Sequence, residues 1–326
     1  MRYLVTGGSG FIGSALVKAL LRNGHSVKIL DNNSRGNLRR LSDVIGNFEF
    51  IEGDIRDKDA VVNASRNVDS VCHLAYINGT EFFYSKPELI LEVGVKGMMN
   101  VVDACLANGI PELILASSSE VYQHAPRIPT DESVPLSVPD PLNPRYSYGG
   151  GKIISELIAL NFGRRHFDKV IIFRPHNVYG PDMGWEHVIP QFALRMREQI
   201  SKGKIENLLS FPIQGTGDET RSFVYIDDFS DGLMLLLNKG VHNQIYHIGT
   251  EEEVTIKHVA QEVGDYFGIN LEIIPGTLAE GGTLRRCPDI GKMKQLGFMP
   301  KVKLKEGIHK TVEWYATNAQ LKPIIN

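Results

Sequence analysis

With 35 basic and 38 acidic residues in 326 and a formal net charge of -3, the chain presents no basic field for nucleic acid or an anionic membrane. Its 42% hydrophobic and 22% charged content is that of a globular protein, long enough for two domains or one large α/β domain with an insertion. Cys72, Cys105 and Cys287 are odd in number and far apart, which argues against a disulfide framework or a zinc site and predicts reduced thiols in a cytoplasmic protein.

Met1 leads straight into an apolar strand, and no apolar run approaches ~18 residues, so neither an export signal nor a membrane span is expected. Arg2 to Thr6 reads as a short buried strand and Gly7 to Gly10 as a tight loop. Phe11 to Arg22 has apolar residues at helical spacing and is stopped by Gly24. Ser26 to Leu30 is a second strand, ending at Asp31, which completes a βαβ unit. Further strands follow at Phe48 to Glu52, Ser70 to Leu74, Leu113 to Ser117 and Val170 to Arg174, separated by segments able to form helices. Such alternation predicts an α/β fold with a doubly wound parallel sheet of the Rossmann type.

Between Ala125 and Pro144 stand six prolines, which remove amide donors and turn their predecessors away from helix. A long irregular loop is expected there, of the kind that is usually functional or disordered. After Arg174 the alternation breaks down, with one helix around Ile189 to Ile200. Residues 1–175, rejoined by 222–250, are expected to form the dinucleotide-binding domain. Residues 176–221 and 251–326 are expected to form a smaller substrate-binding lobe.

The string from Thr6 to Gly13 carries glycines at 7, 10 and 13. Such a loop gives a tight turn, close approach of backbone to a pyrophosphate, and close helix-to-strand packing, with the helix N-terminus facing the phosphates. Phe11 and Ile12 open that helix. Asp31, followed by Asn32, stands where a carboxylate accepts from ribose hydroxyls and repels a 2′-phosphate, which favours NAD over NADP, although Arg35 lies close by. Asp54 and Ile55 follow the third strand at the level of the adenine, and Leu74 and Ala75 end the fourth near the nucleotide.

Tyr148 and Lys152 stand four residues apart, on one face of a helix. The lysine is therefore expected to lower the phenol's pKa from about 10 toward neutrality, making a general base. Ser117, Ser118 and Ser119 supply hydroxyls at the end of the fifth strand. Tyr146 has no lysine at the matching spacing. His73, His176 and His247 sit in apolar sequence and read as packing residues, and no metal-ligand spacing is present.

Taken together, T-G-G-S-G-F-I-G at 6–13, D-N at 31 and 32, G-D-I at 53–55, H-L-A at 73–75, S-S-S-E-V-Y at 117–122 and Y-G-G-G-K at 148–152 resemble an extended short-chain dehydrogenase/reductase. More narrowly, with R-P-H-N-V-Y-G-P at 174–181, G-T-G-D-E-T-R-S-F-V-Y-I-D-D at 215–228 and R-R-C-P-D-I at 285–290, the chain is similar to the NAD-dependent epimerase/dehydratase family that acts on nucleotide sugars. The resemblance implies Tyr148 as base and Lys152 as its partner on the nicotinamide ribose. It implies Ser118 as the hydroxyl sharing the substrate proton, with Ser119 the next candidate and a substrate contact. Asn177 then meets the diphosphate, and Arg221 and Arg286 hold phosphate oxygens, a task suited to the paired donors of a guanidinium.

The expected reaction is epimerisation through a 4-keto sugar with recycled NAD. The alternatives are 4,6-dehydration and UDP-glucuronate decarboxylation: Ser119-Glu120 followed by V-Y, with Arg286 three residues before Asp289, is similar to the decarboxylase pattern, whereas the dehydratases carry Asp-Glu there and this chain lacks that Asp. A reading of another class is a net oxidoreductase or a non-catalytic NAD-binding sensor. Gly94 and Gln123 depart from the family's usual Asn and Gly. A homodimer is expected, with Val101, Val102, Ile154 and Leu157 packing across a four-helix contact.

Overall fold

A computed structural model describes residues 1–203, 208–277 and 281–323. Its centre is a seven-stranded sheet in the order Gln244–Ile248, Lys169–Pro175, Glu112–Ala116, Ser70–His73, Arg2–Thr6, Ser26–Asp31, Glu49–Glu52. Every neighbouring pair is parallel. The expected strands are present with ends shifted by a residue or so, and Gln244–Ile248 joins Lys169–Pro175 at one edge.

Alternation along the central strand explains why both faces are covered. Tyr3 and Val5 point into one apolar cluster with Leu16, Leu20, Phe229 and Leu233, while Leu4 points into another with Met98, Val101, Val102 and Ala159. The first face is thus roofed by the helices Phe11–Arg22 and Ile226–Lys239, and the second by Lys58–Ala64, Gly97–Asn108 and Ser147–His166. Parallel sheets occur almost only in this doubly covered form.

Val101 and Val102, expected across a dimer contact, are instead 1% and 0% exposed within this second core. A helix laid between two others on a sheet buries neighbouring positions on adjacent sides, so neither valine is available to another chain. Ile154 and Leu157 do face outward, at 40% and 55% exposure.

A third cluster, built from Trp185, Phe192, Phe211, Val259, Ile308 and Tyr315, gathers the helices Val188–Ser201, Ile256–Phe267 and Leu304–Thr317. Two small sheets accompany it: Leu208–Pro212 with Asn270–Ile274, and Thr220–Ser222 between Glu253–Thr255 and Arg285–Arg286. The proline-rich loop is irregular apart from one short helical turn at Pro144–Tyr146 and a bridge from Thr130 to Pro288. That bridge, closed by Thr130 N–H to Cys287 O (2.8 Å) and Asp289 N–H to Thr130 O (2.7 Å), ties the loop to the strand carrying Arg286. All three cysteines are free and buried, and no described helix is long and apolar enough to cross a membrane.

Candidate active site

The glycine loop is built by contacts that no side chain would permit. A Cβ on Gly13 would lie 2.1 Å from the Gly7 carbonyl oxygen, and one on Gly7, whose φ is +74°, would lie 2.7 Å from the Ala75 nitrogen. Helix, loop and the end of the fourth strand therefore touch through backbone alone. Gly10 caps the helix with no side-chain bond, and its first turn carries no acid, leaving the positive end of the dipole open to an anion. Phe11 and Ile12 lean on the third cluster. Leu74 and Ala75 close the other wall, Ala75 N–H donating to Thr6 Oγ1 at 3.3 Å.

Asp31 ends the second strand with its carboxylate against the loop, accepting from the backbone N–H of Ser9 (3.0 Å) and Asn33 (2.9 Å). Asn32 donates to Asp54 at 2.9 Å. Asp54 is gripped by Arg56 through both carboxylate oxygens, which holds its pKa down at about 2. Ile55 turns its side chain into the core, and its carbonyl accepts from Asn100 (2.9 Å). Arg35 is engaged by the Phe82 ring (4.8 Å) and by Glu186 (3.4 Å). The cradle fits a dinucleotide whose ribose meets a carboxylate.

Gly13→Ala should cost about 1–3 kcal/mol of NAD binding, because its methyl meets backbone that must move. Titration calorimetry on stripped protein measures it; an unchanged affinity would remove the loop from the cofactor site.

Ser118, Tyr148 and Lys152 converge at the end of the fifth strand. The Ser118 hydroxyl accepts from Glu120 N–H (3.1 Å), starting the turn Ser119–Tyr122, and its side chain approaches Tyr148 closely enough to pull the phenol's pKa down against burial. Ser117 is turned the other way and donates to Glu156, while Ser119 is buried in the turn. Tyr148 is buried, stacked on Phe83 (4.8 Å) and edge-on to Tyr76 (5.2 Å). Tyr146 is also buried, and a Cβ on Gly281 would lie 3.1 Å from its hydroxyl.

The expected acidification of the phenol by Lys152 is not what this state holds. Burial pushes Tyr148 well above the ordinary phenol value, with Ser118 and the charge of Arg286 pulling against it and Glu120 adding to the rise. Lys152 Nζ lies 6.0 Å from the Tyr148 ring centroid, donates to the Ala116 carbonyl (2.7 Å), and is itself lowered by burial to about 7. Helical spacing brings the two side chains to one face; it does not make the ammonium touch the phenol.

Glu120 lies beside an arginine cluster. Burial would raise its carboxyl, but Arg286, bonded at 2.6 Å, together with Arg145 and Arg221, outweighs that and holds it below its ordinary value. Arg221 and Arg286 stand directly opposite on paired strands, and burial, then the Arg286 charge, lower Arg221 to about 10. Arg221 and Arg286 both bond to Thr283. Asn177, at φ +42°, donates to Ser222 O (2.8 Å), bracing the strand that carries Arg221. Gln123 donates to Glu120 O (2.6 Å), filling the place of the family's usual glycine.

Arg145 and Tyr76 escaped the sequence reading. Arg145 follows a run of prolines and lies three residues before Tyr148; its position at the loop-to-helix junction was the available signal. Tyr76 directly follows Leu74-Ala75, but an aromatic after a strand reads as core. The three histidines are buried, and burial lowers the pKa of each, as suits neutral packing rings. Among the described residues no cluster could hold a metal ion.

A glycine cradle on a doubly wound sheet, opening beside a Ser-Tyr-Lys group, defines a dinucleotide-dependent enzyme of the extended short-chain dehydrogenase/reductase class. The chain belongs to the NAD dependent epimerase/dehydratase family, whose model matches residues 3–249. It is 31% identical to the UDP-N-acetyl-alpha-D-glucosaminuronate decarboxylase of Bacillus cytotoxicus, over 96% of this chain and 97% of that one. It is 32% identical to a putative UDP-glucose 4-epimerase of Methanocaldococcus jannaschii, over 97% and 98%. Its structure resembles dTDP-glucose 4,6-dehydratase from Streptomyces venezuelae, solved with NAD bound, at TM-score 0.85 and 31% identity, covering 98% of each chain. The family is NAD-dependent, and its members are nucleotide-sugar epimerases, dehydratases and decarboxylases.

Proposed function

We propose that this protein is a nucleotide-sugar 4-epimerase that works through a transient 4-keto sugar and keeps its NAD. The observation that carries this reading is Ser118 set beside the buried Tyr148 phenol, with Lys152 nearby and a serine, not an acid, at position 119. Epimerisation at C4 needs one proton acceptor, and this pair supplies it; elimination of the C6 hydroxyl needs an acid that Ser119 is not. NAD, when bound, would supply the acceptor for the C4 hydride and then give that hydride back. Tyr148 then takes the proton of the C4 hydroxyl with Ser118 bridging, and returns it once the keto sugar has presented its other face. Arg145, Arg221, Arg286 and Asn177 are assigned to the diphosphate.

A second reading, decarboxylation of a sugar bearing a C6 carboxylate, is favoured by the contact of Glu120 with Arg286 near Tyr148. Product mass from a panel of UDP-, GDP-, CDP- and dTDP-sugars separates the readings: unchanged for epimerisation, lower by carbon dioxide for decarboxylation, lower by water for dehydration. Turnover that needs added NAD and changes absorbance at 340 nm would instead mean a net oxidoreductase, and no turnover with NAD bound a sensor. Glu120→Gln is expected to lower kcat by less than about tenfold in an epimerase, which has no use for that carboxylate in proton transfer. A far larger fall in steady-state kinetics would favour the second reading.

A further inference from the structure

Tyr76 occupies a slot shaped by two absent side chains. A Cβ on Gly94 would lie 2.1 Å from its phenol oxygen, and one on Gly151 would lie 2.3 Å from the same atom. Gly94 is the position where the resembled family usually carries asparagine, and Gly151 sits on the helix of Tyr148 and Lys152. The phenol oxygen is buried with no hydrogen-bond partner among the described residues. An orphaned hydroxyl costs stability, so the hydroxyl is not what this residue contributes. The ring is placed otherwise: its face meets Lys152 Nζ at 3.8 Å from the centroid, and it stands edge-on to Tyr148 at 5.2 Å.

We propose that Tyr76 is a positioning residue, whose ring face holds the Lys152 ammonium, and that Gly94 and Gly151 are the space that admits it. The proposal rests on the assignment of Lys152 to the catalytic group and explains the loss of asparagine at 94: any side chain there expels the ring. The other groups facing Lys152 are Glu156 one turn along its own helix, His73 at the end of the fourth strand, the Ala116 carbonyl of the fifth, and Tyr148. Only Glu156 among the side chains favours the charged amine by its own charge. Burial drives the amine the other way, and a cation facing an aromatic ring in a desolvated site regains part of that loss.

The test is the titration of Lys152 itself, followed by NMR in the intact chain carrying ¹³C-labelled lysine, with the resonance assigned by Lys152→Met. Tyr76→Phe keeps the ring and is expected to leave the midpoint within a few tenths of a unit. Tyr76→Leu removes the ring and is expected to lower the midpoint by about one pH unit, since the protonated form loses its partner. Gly94→Ala, which displaces the ring without deleting it, is expected to lower it in the same direction. An unchanged midpoint in folded Tyr76→Leu or Gly94→Ala overturns the proposal. So does a Phe variant whose midpoint falls by a full unit, because the hydroxyl and not the face would then be responsible. No substrate enters this measurement, so a protein that fails to turn over any nucleotide sugar yet shows the ring-dependent shift refutes the proposed function and leaves Tyr76 in its role.

Discussion

Tyr148→Phe should reduce turnover by roughly 10²–10⁴-fold while leaving NAD bound, since only the proton-accepting oxygen is removed. The ring that stays behind keeps its stack on Phe83 and its edge contact with Tyr76, so the pocket has no reason to collapse. Ser118 keeps its bond from the Glu120 amide. Single-turnover reduction of bound NAD, read at 340 nm, isolates the step. Undiminished reduction would mean that another group takes the proton, and Tyr148 would have to be given up. The pH dependence should move with the phenol: burial raises Tyr148, so activity in wild type should climb as pH rises toward the ionisation of the cofactor-bound phenol.

Arg174→Met is expected to cost about 3–5 kcal/mol of stability, because it leaves Glu156 charged and unpaired in the core. Arg174 and Glu156 are 1% and 2% exposed and joined by two bonds of 2.6 and 2.8 Å. Around them the Ser117 hydroxyl donates to Glu156, Arg174 donates to the Tyr122 hydroxyl, and Tyr122 meets His247 Nε2 at 2.6 Å. The network thus ties the fifth and sixth strands, the edge strand and the Tyr148 helix to the turn that begins at Ser118. Urea denaturation measures the loss, and a cost below about 1 kcal/mol would show that the pair is not the tie it looks to be. Arg174→Met with Glu156→Gln should lose less than the single variant, since no bare charge is then buried.

The first βαβ unit was legible almost residue for residue, because a buried strand, a glycine loop and a helical apolar stripe each leave a distinct period. The helix Phe11–Arg22 and the strand Arg2–Thr6 fall where the pattern put them. Ser118 was separable from Ser117 only by resemblance, and the structure shows why the choice matters: adjacent residues at the end of a strand point to opposite sides, one to Tyr148 and the other to Glu156. Val101 and Val102 were misjudged because apolar spacing says that a face is buried without saying by what. The phenol's upward shift was not legible either, since it comes from the depth of a site assembled by residues 76, 83, 118 and 148 together. Arg145 and Tyr76 are of the same kind: their meaning lies in neighbours distant along the chain.

Arg221 and Arg286 stand opposite each other on two short paired strands. Like charges held across a strand pair repel, and Glu120 and Glu219 stand against three guanidiniums once Arg145 is counted. On the proposed reading, an entering diphosphate gains twice, once from its own bonds and once by quieting a tension already built into the resting protein. On the same reading, a ligand with one phosphate gathers less of that relief, and the pair favours whichever ligand spreads more negative oxygens across it.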